Sequence, residues 1–114
     1  MLEKRLVLLN TSILTAHGAF TFNPLPLEDV RSLVIEFQRT GKTIESAIGH
    51  QSTAELLSSL LDLPVPNNRI EFMQTTDDLA LVFKLNQRPP EGRVLSREEI
   101  EEIGYEFGLL TRIA

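Results

Sequence analysis

The sequence predicts an α+β (mixed α/β) fold, in which helices pack on a single mixed β-sheet of about five strands. A continuous apolar run at residues 6–9 is typical of a strand buried on both faces. Capping-box patterns at Ser52 and Ser96 each precede an apolar helical face. Helices and strands alternate along the chain, which favours one sheet with helices packed against it.

Length and composition set the protein class. The 114 residues, 42% of them apolar, fit a single compact domain over residues 1–114. The absence of cysteine excludes disulfides and thiolate metal sites, and no apolar run at the start is long enough for a signal peptide or a membrane span. We therefore expect a soluble, cytoplasmic protein that does not bind membranes. The net charge of −5 argues against extended binding of duplex nucleic acid, but allows a local arginine pocket for a small anion.

The first half of the chain contains one ambiguous segment. Alternating Phe20 and Phe22 predict a short edge strand, and Pro26 followed by two acidic residues predicts a helix start. The apolar residues between 27 and 37 fit either a helix or a strand, and we favour a short helix leading into a strand. Residues 43–48 are expected to be extended.

The second half begins with a helix that Ser52 caps and that ends before Pro64. Strands are predicted at residues 69–73 and 79–85, followed by a proline-stiffened loop at 87–92. A helix opens at Ser96 and continues to about Tyr105. Gly108 should end this region, with a closing strand at 109–113.

His50 is the first candidate for chemistry, because it lies just before a predicted helix start. Helix N-termini favour phosphate, and an imidazole beside a phosphate can protonate a leaving oxygen. A structural loop histidine is the alternative interpretation. Two histidines and no cysteine make a zinc site unexpected, and no phosphate loop or dinucleotide motif indicates a cofactor.

Further candidates lie in three other segments. Arg88, held between Gln87 and two prolines, suits phosphate recognition, and Glu91 is close enough in sequence to orient it; a surface ion pair is the alternative. Arg69 is another possible anion contact or an edge charge. Asn10 and Ser12 follow the first strand, where open sheets often bind ligands, although turn capping would also explain them.

Four segments together resemble a known family. They are NTSIL at 10–14, AIGHQST at 47–53, NRI at 68–70 and QRPPEG at 87–92. Their order and spacing resemble the viral ring nucleases, small type III anti-CRISPR enzymes first known as uncharacterised proteins of archaeal viruses. The resemblance spans most of the chain. The two adjacent prolines depart from the pattern and should stiffen the loop without removing its matched residues.

The resemblance implies metal-independent cleavage of cyclic tetra-adenylate, the second messenger of type III CRISPR systems, to short linear adenylates. It assigns catalysis to His50, Arg88 and Glu91. The implied substrate-binding residues are Asn10, Ser12, Ser52, Thr53, Arg69 and Gln87. It also implies a homodimer with the site across its interface. Two alternatives remain, namely a non-catalytic protein that sequesters the same ligand and a small interaction protein with no nucleotide.

Overall fold

Five strands form one mixed sheet in the computed structural model, which describes residues 5–11, 14, 16–87 and 96–114. The strands are β1 (Arg5–Leu9), β2 (Phe20–Pro24), β3 (Thr43–Ser46), β4 (Asp78–Leu85) and β5 (Tyr105–Arg112). Their order is β2-β5-β4-β1-β3, with β1 parallel to β3 and β4, and β5 antiparallel to β4 and β2. The predicted α+β fold class is confirmed.

Three helices cover one face of this sheet. They are α1 (Leu27–Arg39), α2 (Gln51–Leu61) and α3 (Arg97–Ile103). Helix α1 buries Val30, Val34 and Phe37, whose spacing places them on one helical face. These side chains meet Leu6, Leu81 and other sheet residues in the main core. The ambiguous segment is thus a helix, because its apolar residues reach the core at helical spacing.

Within the described residues, an irregular segment covers part of the opposite face of the sheet, and no helix packs there. Val7, Ala80 and Val82 belong to a second, smaller core on this face, against which Phe72 packs. Gln74 is buried, and its side-chain amide donates to the Leu110 carbonyl at 2.8 Å. The predicted strand at 69–73 is therefore wrong. Phe72 packs on the sheet while Ile70 stays exposed, and β4 occupies the pairing position beside β1.

Helix boundaries differ from the sequence expectation at two places. Helix α2 begins at Gln51 with His50 as its N-cap, so the capping box at Ser52 is wrong. The capping box at Ser96 is confirmed, with reciprocal bonds to Glu99. Helix α3 ends at Ile103, and Gly104 turns the chain into β5. Gly108, expected as a break, lies inside that strand. No helix in the described ranges is long and apolar enough to cross a membrane.

A partly buried ion cluster joins the three parallel strands near their amino ends, with the Asp78 side chain 5% exposed and those of Arg5 and Glu45 31% and 34% exposed. The Arg5 guanidinium donates to both Asp78 carboxylate oxygens at 2.9 Å, and to Glu45 at 2.9 Å. Asp78 also accepts from the Thr75 backbone N–H. Burial alone raises the Asp78 pKa. The hydrogen bonds and charge of Arg5, together with the Thr75 bonds, outweigh burial, so the pKa lies below its ordinary 3.8.

We predict that Asp78→Asn lowers the free energy of unfolding by about 2 kcal/mol at neutral pH, because the buried carboxylate loses its charge-assisted hydrogen bonds from Arg5. Glu45 is the control because its side chain is 34% exposed against 5% for Asp78, and Glu45→Gln should cost less than about 1 kcal/mol. A carboxyl group with a lowered folded-state pKa stabilises fully above 3.8 and loses that contribution as pH falls through the folded value. Urea unfolding should show the gap between wild type and Asp78→Asn closing in this acidic range, and a constant gap would contradict the assignment.

Candidate functional site

The parallel strands bring several predicted site residues to one edge of the sheet. Because β1 runs parallel to both of its neighbours, the three carboxyl ends lie at the same edge. Asn10 follows β1, His50 follows β3 and Gln87 follows β4. Ligands of open α/β sheets bind at such an edge. The predicted residues Ser12, Arg88 and Glu91 lie outside the described residues.

A set of hydrogen bonds fixes the backbone that leads to His50. The buried Ser46 hydroxyl donates to the Pro66 carbonyl at 2.7 Å and accepts from the Ile48 N–H at 3.2 Å. Asn68 donates its backbone N–H to the Ile48 carbonyl and its side-chain amide to the Ser46 carbonyl, both at 2.8 Å. We call this set the 46–68 brace. It joins the segment after β3 to a second loop, so the backbone that leads to His50 is restrained.

Arg69 lies against the residue that precedes His50. Its Nε donates to the Gly49 carbonyl at 3.0 Å. A Cβ atom on residue 49 would stand 3.0 Å from the Arg69 Cγ, so glycine permits this close approach. The Arg69 side chain is exposed, and this bond uses one of the five guanidinium N–H donors. The guanidinium of Arg69 is therefore positioned at the His50 edge with donors to spare for an anion.

The N-terminus of α2 opens at the same place. His50 is extended (φ −126°, ψ 125°), and its side chain is exposed and makes no capping bond. The first backbone bond of the helix runs from the Ala54 N–H to the His50 carbonyl. Ser52 and Thr53 lie in the first turn, which contains no acidic residue. Helix N–H donors without a capping side chain favour a bound anion.

A pocket that the sequence analysis missed extends from Asn10 across the second face of the sheet. Its volume is about 580 Å³. Lys84 and Glu106 stand directly opposite each other in the β4–β5 pairing and both line it. Among the described residues, its lining comprises Asn10, Thr11, Phe22, Pro24, Val82, Lys84, Glu106, Phe107 and Gly108. An exposed lysine near the end of an otherwise buried strand was the available signal.

Other potential metal or proton-transfer groups do not cluster in the described part of the chain. No set of three or more His, Asp or Glu side chains there could hold a metal ion. His17 is exposed, and its backbone carbonyl accepts from Arg112 at 3.1 Å. Because Arg112 ends β5, which runs antiparallel to β4, His17 lies toward the edge opposite His50.

We predict that Asn68→Ala weakens the 46–68 brace and costs about 1–2 kcal/mol of unfolding free energy, because the buried Ser46 carbonyl loses its donor. Amide hydrogen exchange at residues 48–50 should accelerate in parallel. The adjacent exposed Asn67 supplies the control, since Asn67→Ala should change neither quantity. Unaltered exchange in Asn68→Ala would show that the brace does not restrain this segment.

Three comparisons identify similar proteins. Residues 6–107 match the profile of the STIV B116-like family. The chain is 32% identical over 105 residues to the uncharacterized protein YddF of Bacillus subtilis, covering 92% of this chain and 94% of that protein. It is 32% identical over 112 residues to ORF117 of Acidianus two-tailed virus, covering 95% and 93%. B116 of Sulfolobus turreted icosahedral virus matches structurally with a TM-score of 0.77 and 28% identity, covering 96% and 99%.

Proposed function

Because this chain belongs to the STIV B116-like family, we propose that it is a metal-independent ring nuclease that cleaves cyclic tetra-adenylate to short linear adenylates. Such an activity would counter or tune the CRISPR ancillary nucleases that this messenger activates. The family has members in archaeal viruses and in a Bacillus. The proposal combines the sequence resemblance with the chemistry that the carboxyl edge of the sheet offers.

One observation supports this function best. An exposed imidazole, an uncapped helix N-terminus and an arginine held on the neighbouring carbonyl occupy the same edge. Imidazole exchanges a proton near neutral pH, and the other two groups neutralise phosphate. This is the set of functions that phosphodiester cleavage by an internal nucleophile requires.

The proposed reaction needs no external nucleophile. The ribose 2′-hydroxyl attacks the adjacent phosphorus, the bond from phosphorus to the 5′-oxygen breaks, and His50 donates a proton to that oxygen. The 2′-hydroxyl proton passes to a base, and the product carries a 2′,3′-cyclic phosphate and a 5′-hydroxyl. Holding the hydroxyl in line with the leaving oxygen supplies a high effective concentration. Arg69 and the α2 N-terminus stabilise charge on the phosphoryl oxygens.

The remaining predicted residues complete the proposed site. Arg88 would add a second guanidinium to the phosphate, and Glu91 would orient His50 or accept the hydroxyl proton. The predicted ligand-lining residues are Asn10, Ser12, Ser52, Thr53 and Gln87. No metal or cofactor takes part in this scheme.

The proposed assembly is a homodimer with the ligand across its interface. Four identical units in a ring match a two-fold axis that presents one His50 from each protomer. Ile70 and Met73, which follow Arg69 in the chain, are 37% and 60% exposed and offer apolar surface for a second copy to cover.

The decisive experiment incubates wild type and His50→Ala with cyclic tetra-adenylate in EDTA. We expect wild type to produce linear adenylates with a 2′,3′-cyclic phosphate, and His50→Ala to be slower by about 10²–10⁴ because the leaving oxygen lacks its acid. Binding of the intact ring by His50→Ala should persist. His17→Ala is the matched control and should retain the wild-type rate.

The possible results separate the alternatives. Tight binding without cleavage by wild type would favour a sequestering protein. Cleavage that requires a divalent metal would contradict the mechanism, and neither binding nor cleavage would contradict the function.

We also predict that Lys84 binds a phosphate of the ring, since it lines the pocket that begins at Asn10. Losing one charge-assisted hydrogen bond should weaken ligand affinity about tenfold in Lys84→Ala and reduce the salt dependence of binding. Lys42→Ala removes the same charge next to the start of β3, at the opposite edge, and should leave affinity unchanged. Equal affinities for the two variants would exclude a Lys84 contact.

A further inference from the structure

The pocket around Lys84 contains groups that a phosphate site would not need. Beyond Lys84 its polar lining includes the Glu106 carboxylate, and its apolar lining includes Phe22 and Val82. A carboxylate repels phosphate, and phosphate gains nothing from an aromatic ring. The part of the pocket near Glu106 therefore suits a neutral, flat group that can donate a hydrogen bond.

Phe22 is presented to this pocket in an unusual way. It is 53% exposed although it belongs to a strand. A Cβ atom on Gly108 would overlap the Cζ and Cε1 atoms of the Phe22 ring, so only glycine at 108 lets the ring lie directly on the strand backbone. One side of the ring therefore contacts the β5 backbone, while about half of the side-chain surface stays exposed to solvent.

Glu106 stands beside this ring on β5, and its side chain is exposed. It faces Lys84 across the β4–β5 ladder, yet no ion pair within 4.0 Å joins the two in the described part of the chain. Strand alternation puts Glu106, Gly108 and Leu110 on the same face. The carboxylate is thus placed to accept a hydrogen bond from a group lying on Phe22.

We propose that Phe22, Gly108 and Glu106 form a nucleobase subsite that takes an adenine of the cyclic ligand. This inference rests on the proposed function. Phe22 stacks on the base, Glu106 accepts a hydrogen bond from the exocyclic amine, and Lys84 contacts the phosphate beside that nucleotide. Because β3 and β5 lie on opposite sides of β1 and β4, the bound base belongs to a nucleotide away from the one that reacts at His50. The subsite thereby selects adenine rings without entering the chemistry.

The test measures binding of uncleaved rings in the His50→Ala background, with cyclic tetra-adenylate and its tetra-inosine analogue as probes. Adding Phe22→Ala should weaken tetra-adenylate binding about tenfold or more, the usual effect of losing one base–aromatic stack. Thr21→Ala is the control on the same strand, since its side chain points to the other face, and it should bind normally.

Glu106→Gln tests the hydrogen bond separately. Inosine carries an acceptor in place of the amine, so the parent should prefer tetra-adenylate about tenfold. Glu106→Gln should lose that preference, because its amide can donate to the inosine oxygen. An unchanged preference, or unchanged affinity in Phe22→Ala, would overturn the subsite while leaving the proposed function intact.

Two further measurements complete the design, namely the cleavage activity of the wild type and the oligomeric mass of each variant. Absence of binding and cleavage by wild type would defeat the proposed function and the subsite together. If Phe22→Ala folds but loses its assembly, the pocket is a contact between copies of the chain and the subsite is wrong. Thermal unfolding establishes that each variant is folded, and Glu106→Gln changes only an exposed side chain.

Discussion

The position of β1 between two parallel strands is the constraint on which the rest of the structure depends. Its central residues are fully buried because helices cover one face and the segment around Phe72 covers the other. A strand in this position cannot shift its register without moving a core residue to the wrong face. The three carboxyl ends are therefore fixed relative to one another, and so are the loops that begin there.

This arrangement separates stabilising charges from those available for binding. At the amino edge, Arg5 is neutralised by Asp78 and Glu45 in a tight cluster. At the carboxyl edge, Arg69 is exposed and bonds to a neutral backbone carbonyl. A guanidinium paired with a carboxylate has its charge neutralised and attracts an anion only weakly. One that bonds to a neutral carbonyl keeps its positive charge. The same residue type thus anchors the fold at one edge and keeps an exposed, unneutralised charge at the other.

The sequence predicted the sheet and most helices because their apolar periodicity is local. The run at residues 6–9 follows from spacing alone, whereas the apolar residues of α1 fit either element until their packing on the core decides. The strand predicted at residues 69–73 is wrong because such an apolar pattern fits either a paired strand or a segment that packs on a sheet. Only the tertiary arrangement decides between the two. Lys84 and Glu106 could not be paired from the sequence, since their proximity depends on the β4–β5 register. His50 was found because its position before a helix is local, although the sequence assigned the capping role to Ser52.

Net charge raises a further physical question, because the proposed function requires a chain of charge −5 to hold an anionic ring. Long-range repulsion is limited, since physiological salt screens exposed charges over about 8 Å. Locally, the α2 N-terminus contributes partial positive charge without any side chain, and Arg69 and Lys84 add full charges at the same edge of the sheet. The acidic residues of α3 lie on the helix-covered side, whereas the Lys84 pocket opens on the other face. An acidic protein can therefore favour a small anion at one edge while its overall charge disfavours the extended polyanion of duplex nucleic acid.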